Sequence, residues 1–512
     1  MKPHRGVVSA GHHETARAAC ETLLAGGNAF DAAVAAMLTA CVAEPVLASL
    51  GGGGFLTARP QGKAPLVYDF FAQTPRRKEA EEALGFYPIE ADFGTASQTF
   101  HIGMGSIATP GFVRGLFTIH RDHCRLPLST LFQPAIQLAR DGVVINPFQH
   151  TIATIVAPIL RATPEALAIN ASPDDPQRLI STGERHKQPA LAGFLDTLQH
   201  EGERLFHEGE AGRQLVRDCR EQGGHLHMED LTGYRVMPRK PLHYNYRDAL
   251  LVTNPLPSLG GTLIAFSLGL LASRSPAPDD AGKERHLRLL ARTMRLTQLA
   301  RGENHLSMDR LLDPETGKRF RARLDMGGLS THGTTQISIA DSEGNLASMT
   351  LSNGEGCGYI IPGTGIMMNN MLGEEDLNPR GFHLWPENHR LASMMAPTLI
   401  LTGDGRCIVT GSGGSNRIRS AILQVIINQL DYGMPLEQAV SSARIHFENG
   451  LLSLEPGIDE SVSHALRNEF PKQQRWQEKN LFFGGAHSVM IDRRGELKGI
   501  GDERRGGVSD WA

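Results

Sequence analysis

Residues 327–341 read GGLSTHG followed by TTQISIAD, a glycine-rich, helix-breaking run that gives way at Thr334 to alternating side chains. Thr335, Ile337 and Ile339 alternate with Thr334, Gln336 and Ser338, the period-two signature of a β-strand. The turn DSEGN follows, and residues 346–352 return as the second strand of a hairpin. A loop that feeds a strand whose first side chain is a β-hydroxyl suits a chain that cuts itself between Gly333 and Thr334. The new N-terminal threonine would then serve as a nucleophile. Thr-Thr pairs also fill ordinary strands, so the surrounding sequence has to decide.

The 512 residues allow about three ordinary domains or one large layered unit. Hydrophobic residues at 40% and charged residues at 21% describe a soluble globular chain with a large core. A net charge of -4 gives no general attraction to nucleic acid or anionic membrane. The most basic stretch, 283–301, carries Leu287, Leu290, Met294 and Leu299 at near-helical spacing. It is expected to be an amphipathic helix with a solvated basic face, and its few aromatics argue against single-strand binding. The six cysteines are scattered, without CxxC pairs or zinc spacing, and are expected to be reduced. The first residues show no apolar stretch before a small-residue cleavage site. The longest apolar run, 32–43, is too short to span a bilayer, so a cytoplasmic location is expected. His12-His13-Glu14 lacks a second histidine at helical spacing. It is read as a solvated helix start, with no metal.

Two helices are expected at 14–25 and 31–42, separated by Gly26 and Gly27, with Asp31 as N-cap of the second. The second is apolar nearly all round and should be buried. Gly51 to Gly54 precede strands at 55–58 and 66–71; a phosphate-binding reading lacks its strand-to-helix context. Residues 127–330 read as mainly helical, with a β interlude near 244–253 running into the turn NPLPSLGG. Further strands are expected at 398–402, 407–410, 451–454 and 488–492, and helices at 418–432 and 436–443. Layers of this kind favour an α+β fold, a packed αββα sandwich.

The motifs GGNAFDAAVAA, GGGGF, IATPGFVRGL, QPAIQLARDGVVIN, EDLTGY, NPLPSLGG, TTQISIADSEGNLASMT, GTGIMMNN, MAPTLI, GSGGSNRI and DYGMPLEQAV occur in this order along the chain. Together they resemble the γ-glutamyltranspeptidase family of N-terminal-nucleophile hydrolases. The resemblance implies a four-layer αββα fold, amide chemistry, and autoproteolysis into a large subunit, 1–333, and a small subunit, 334–512. The residue types make chemical sense of this. A threonine hydroxyl needs a base, and a free N-terminal amine, with a pKa of about 7.7–8, can take its proton near neutral pH. The resemblance also implies that Ser352 hydrogen-bonds the nucleophile and supports processing. It sets Asn353 at or beside a substrate-contacting asparagine, and GSGGSN at 411–416 as an oxyanion hole, with Gly414 and Ser415 matching a family Gly-Gly. Losing one such donor costs about 3 kcal/mol of transition-state stabilisation. Without the resemblance, GSGGSN reads as a flexible turn.

The glutamyl clamp departs from the family. Phe71 stands where an arginine is expected, Ser393-Met394 where a Ser-Ser pair is expected, Met371 at an amide or acid position, and Glu374 where aspartate is usual. Phenylalanine cannot replace a bidentate arginine–carboxylate contact. Arg76, Arg77 and Arg419 remain candidates to restore it from another direction. The segment between Glu374 and Ser393 is short for the lid that covers the site in some members. The expected substrate is therefore a small amide other than a standard γ-glutamyl compound. It is either an amide acid, as in the oxamate-hydrolysing branch, or an acyl amide of the cephalosporin-acylase kind. The alternatives are a glutathione hydrolase or γ-glutamyltransferase with a rebuilt clamp, and a non-catalytic αββα binding scaffold. No cofactor, nucleic-acid partner or membrane partner is expected.

Overall fold

The computed structural model describes residues 4–92, 97–272, 274, 276–302, 310–313, 315–316, 320, 334–378 and 380–512. The strand Thr335–Asp341 pairs antiparallel with Leu346–Ser352, as the alternation predicts, and every residue of both is buried. Burial on both faces follows from what each face meets. Ile337, Ile339, Met349 and Leu351 pack into the core beneath the buried helix Ala29–Ala43. The polar set faces a second sheet instead of water. Gln336 accepts from Thr350 Oγ1 at 2.6 Å, and Ser348 and Ser338 donate to the carbonyls of Thr410 and His487 at 2.8 and 2.9 Å. These bonds satisfy groups whose burial would otherwise be costly.

Among the described residues the first sheet has seven strands, in the order Met237–Arg239, Leu66–Asp69, Gly53–Arg59, Leu346–Ser352, Thr335–Asp341, Gly6–Ala10, Val508–Trp511. The second has six: Leu242–Tyr246, Ala249–Thr253, Thr398–Thr402, Cys407–Thr410, Ser488–Ile491 and Leu497–Ile500. Val7, Val252, Leu399, Val409 and Val489 fill the space between them. Helices His13–Leu24, Ala29–Ala43, Phe112–His123 and Leu128–Asp141 cover the outside of the first sheet. Leu259–Leu271, Glu284–Gly302 and Arg417–Leu430 cover the second. The fold is the expected α+β, αββα sandwich.

Several local expectations change. Asn28, not Asp31, caps the buried helix; Asp31 is three residues in, and its carboxylate returns to the Asn28 N–H at 2.9 Å, closing a capping box. The helix Leu259–Leu271 begins inside the expected turn, its first N–H bonded to the Ser393 carbonyl at 2.7 Å. His12 is not solvated: it is 1% exposed, caps His13–Leu24, and accepts the Glu14 N–H at its Nδ1. The basic helix Glu284–Gly302 does not simply face water either, since Arg288, Arg292 and Arg295 converge on Glu469 at 3.1, 2.7 and 3.0 Å. The run Gly51 to Gly54 allows strand-to-strand contact. A Cβ on Gly52 would stand 2.3 Å from the Ser352 carbonyl oxygen, and one on Gly54 would stand 2.4 Å from that of Thr350. All six cysteines are free. Among the described residues no helix is long and apolar enough to cross a membrane.

Candidate active site

Thr334 sits at the mouth of the strand Thr335–Asp341 and is 4% exposed. The register pairs Thr335 with Leu351, so extending it by one residue sets Thr334 opposite Ser352. Successive strand side chains point to opposite faces. Thr335 points toward the helices, donating to the Glu44 carboxylate at 2.6 Å, while Thr334 and Ser352 share a cavity on the other face. Glu44 also accepts from Thr15 at 2.9 Å, and its burial raises its pKa. Gly333 lies outside the described residues.

The carbonyl of Thr334 is held from below. Arg505 Nη1 donates to it at 3.1 Å, and a Cβ on Gly413 would approach the same oxygen to 2.1 Å. Only glycine fits there. Gly411, two residues earlier, is also closely packed: a Cβ would meet the Gln336 side chain at Oε1, 2.2 Å away. Gly414 and Ser415 follow with φ of 115° and 50°, turning the chain into the helix Arg417–Leu430. Asp376 fixes this turn: one carboxylate oxygen accepts from Ser415 Oγ at 2.6 Å, the other from Asn416 Nδ2 at 3.2 Å. Arg301, at the far end of the basic helix, donates to Asn416 Oδ1 at 2.9 Å. Burial pulls the guanidiniums of Arg505 and Arg417 down to about 10, which leaves both charged at neutral pH.

The cavity, about 40 Å³, is lined by Thr334, Ser352, Ser393 and Ser415, by the carboxylates of Glu374 and Asp376, and by apolar side chains that include Phe71, Leu259, Leu377, Met394, Met395 and Ile418. No basic residue lines it among the described residues. Arg77 pairs with Glu229 at 3.1 Å, Arg419 is committed to Glu448 and the Asn416 carbonyl, and Arg76 is exposed beside Gly233. A guanidinium does stand beside residue 71, supplied by Arg390. It donates to the Phe71 carbonyl and the Tyr234 hydroxyl, lies 4.4 Å over the Tyr234 ring, and meets Asp69 at 3.6 Å. Phe71 itself stacks on Phe55 at 5.5 Å.

Of the residues singled out from sequence, Thr334, Ser352, Phe71, Glu374, Ser393, Met394 and Ser415 meet in this cavity. Met371 packs in the apolar core, Asn353 is fully buried against Gly52, and Gly414 is not among the lining. Asn353 Oδ1 finds no partner among the described residues. Glu374 reaches over Gly354, whose Cβ would stand 2.2 Å from Glu374 Oε1. Sequence reading missed Asp376, Gly413 and Arg505. Gly413 was within the quoted motif, one residue before the pair chosen. Asp376 and Arg505 carried no local signal, because their partners are distant in the chain.

A family model described as gamma-glutamyltranspeptidase matches residues 15–511. The Acylase ACY 1 proenzyme of Pseudomonas sp. (strain SE83) is 30% identical over 526 residues, covering 98% of this chain and 93% of that protein. The glutathione hydrolase proenzyme of Pseudomonas aeruginosa is 30% identical over 478 residues, covering 86% of this chain and 83% of that protein. A cephalosporin acylase from Bacillus halodurans shares the fold, with a TM-score of 0.86 over 99% of this chain and 96% of that one, at 22% identity.

Proposed function

The chain belongs to the γ-glutamyltranspeptidase family and is an enzyme of its hydrolase and acyltransferase group, and on that premise we propose that it is a self-processing threonine amidohydrolase for acyl amides without a carboxylate clamp. The Thr334 hydroxyl attacks the Gly333 carbonyl, the Gly333–Thr334 amide bond breaks, and an ester forms. Water opens the ester, leaving a free amine on Thr334 and two chains, 1–333 and 334–512. In turnover the amine takes the hydroxyl proton as Thr334 Oγ1 attacks the substrate amide. Backbone N–H groups of the 413–415 turn stabilise the oxyanion. The proton passes to the leaving amine, and water then releases the acyl group from Thr334. The acylase and the glutathione hydrolase at 30% identity are both named as proenzymes, which supports the processing step.

The observation that carries the substrate reading is the cavity lining: apolar side chains and two carboxylates, with no cation among the described lining residues. An acyl group bearing a carboxylate would be desolvated beside Glu374 and Asp376 with no cation among the described lining residues to pair it, at a cost of several kcal/mol. This disfavours both γ-glutamyl compounds and amide acids such as oxamate. An uncharged acyl amide fits.

Denaturing gel electrophoresis and N-terminal sequencing of purified protein test the processing. Two fragments are expected, the smaller beginning at Thr334, whereas Thr334→Ala is expected to stay one chain without turnover. Assay of the processed enzyme against glutathione and a panel of acyl amides tests the substrate. A kcat/KM for a neutral acyl amide at least about 100-fold above that for glutathione is expected, the equivalent of roughly 3 kcal/mol. Efficient glutathione turnover, abolished by Thr334→Ala, would instead establish a rebuilt glutamyl clamp.

A further inference from the structure

The basic stretch noted in the sequence lines a second cavity, of about 220 Å³, which shares no lining residue with the one at Thr334. Arg247, Arg274, Arg285, Arg288 and Arg292 line it against two aspartates, Asp280 and Asp431. The carboxylates there are already engaged. Asp431 accepts from Arg247 Nε at 2.8 Å and from the Tyr246 hydroxyl at 2.7 Å. Glu469, from outside the cavity, takes Arg288 and Arg292, and Arg288 also meets Glu284 at 2.6 Å. Two cations are left largely unneutralised. Arg285 touches Asp280 only loosely, at 3.4 Å, and is 74% exposed, while Arg274 has no ion pair among the described residues.

His286 supplies an independent pointer. It is 7% exposed and lines the same cavity. Its Nδ1 accepts the Gly282 N–H at 2.9 Å, so in the neutral ring the proton sits on Nε2. Burial pulls its pKa down to about 4, which keeps the ring neutral at physiological pH. That Nε2–H is buried with no acceptor among the described residues, an arrangement that a bound acceptor would complete. The Tyr432 ring lies 4.6 Å from His286 and offers an apolar surface beside the donors. Guanidiniums and a neutral N–H donor on one cavity wall are the groups that hold phosphate oxygens.

We propose that this cavity binds a small phosphate-bearing molecule, its phosphate oxygens held by Arg274, Arg285 and His286 Nε2–H. The ligand is either a free inorganic polyphosphate or a nucleotide whose ring lies on Tyr432. Isothermal titration calorimetry of the full-length protein at low salt, with inorganic pyrophosphate as probe, tests this. Saturable binding at one site is expected. The double variant Arg274→Ala/Arg285→Ala, both exposed side chains, should weaken binding at least about tenfold, or about 1.4 kcal/mol. His286→Phe should weaken it severalfold, and amide turnover at Thr334 should not change in the double variant. A nucleoside diphosphate that binds more tightly than pyrophosphate assigns the ligand as a nucleotide; equal binding assigns the free polyphosphate. The proposal fails if no saturable heat develops, if the double variant binds as tightly as the parent, or if malonate matches pyrophosphate.

Discussion

The two adjacent threonines have opposite surroundings, and the difference can be tested. Thr334 opens onto the cavity, whereas Thr335 donates to the buried Glu44 carboxylate. Thr335→Val keeps the shape but leaves Glu44 one donor short, with an expected loss of about 1–3 kcal/mol of stability in urea unfolding. Its processing should persist, in contrast to Thr334→Ala. Gly413→Ala should act on the proposed nucleophile, Thr334, without touching its hydroxyl. The added methyl meets the Thr334 carbonyl oxygen at 2.1 Å, where backbone cannot yield cheaply, so overpacking of about 1–3 kcal/mol is expected. The fraction cleaved on a denaturing gel over time should fall well below that of the parent. Thr334 stood out in the sequence because a Gly-rich break followed by alternation is a local pattern. The choice among Gly413, Gly414 and Ser415 did not, because in so short a polar turn a one-residue shift changes no periodicity. Only the close approach to the Thr334 carbonyl singles out Gly413.

At the scale of elements, the turn after the last strands of the second sheet is pinned by a buried ion cluster. Asp502 accepts from Arg444 at 2.6 Å and Arg504 at 3.0 Å, and Arg504 also pairs with Glu455 at 2.6 Å. Burial alone would raise the Asp502 carboxyl, but the two guanidiniums outweigh it and hold the group well below the usual carboxylate range. A depressed folded pKa contributes stability that is fully present above the unfolded value of about 3.9 and is lost as pH falls toward the folded one. Chemical denaturation midpoints should therefore drop steeply below about pH 4. Asp502→Asn leaves two guanidiniums short of a counter-charge and should cost about 3–5 kcal/mol at neutral pH. It should also flatten that acid dependence. Such clusters are invisible in sequence, since Arg444, Glu455 and Asp502 have no spacing that announces them. The central hairpin was legible because alternation encodes it, and the buried helix because a continuous apolar run does. The strands Gly6–Ala10 and Val508–Trp511 were not, being short segments whose role depends on the sheet they join. The basic helix was legible as a helix, but its face was misjudged, because Glu469 lies far along the chain.

For the molecule as a whole, the αββα layering was readable from the order of elements, and the family resemblance covered most of the chain. What sequence could not show is how the two halves alternate in space. Counted from its Met237–Arg239 edge, the first sheet takes three strands from residues before 333, two from after it, one from before and one from after. If the bond before Thr334 is cut, neither fragment retains a complete sheet, and no plane of separation exists between them. Folding of the intact precursor is unimolecular. Regaining the same weave from two separated strands requires them to meet, so its rate must depend on dilution. Urea-unfolded processed enzyme is expected to recover activity with second-order kinetics, if at all, whereas unprocessed Thr334→Ala should regain native fluorescence at a rate independent of concentration. Concentration-independent recovery by the processed form would contradict this. Cleavage just before the strand Thr335–Asp341 would thus make maturation a one-way step: the chain could be assembled easily only once, before the cut.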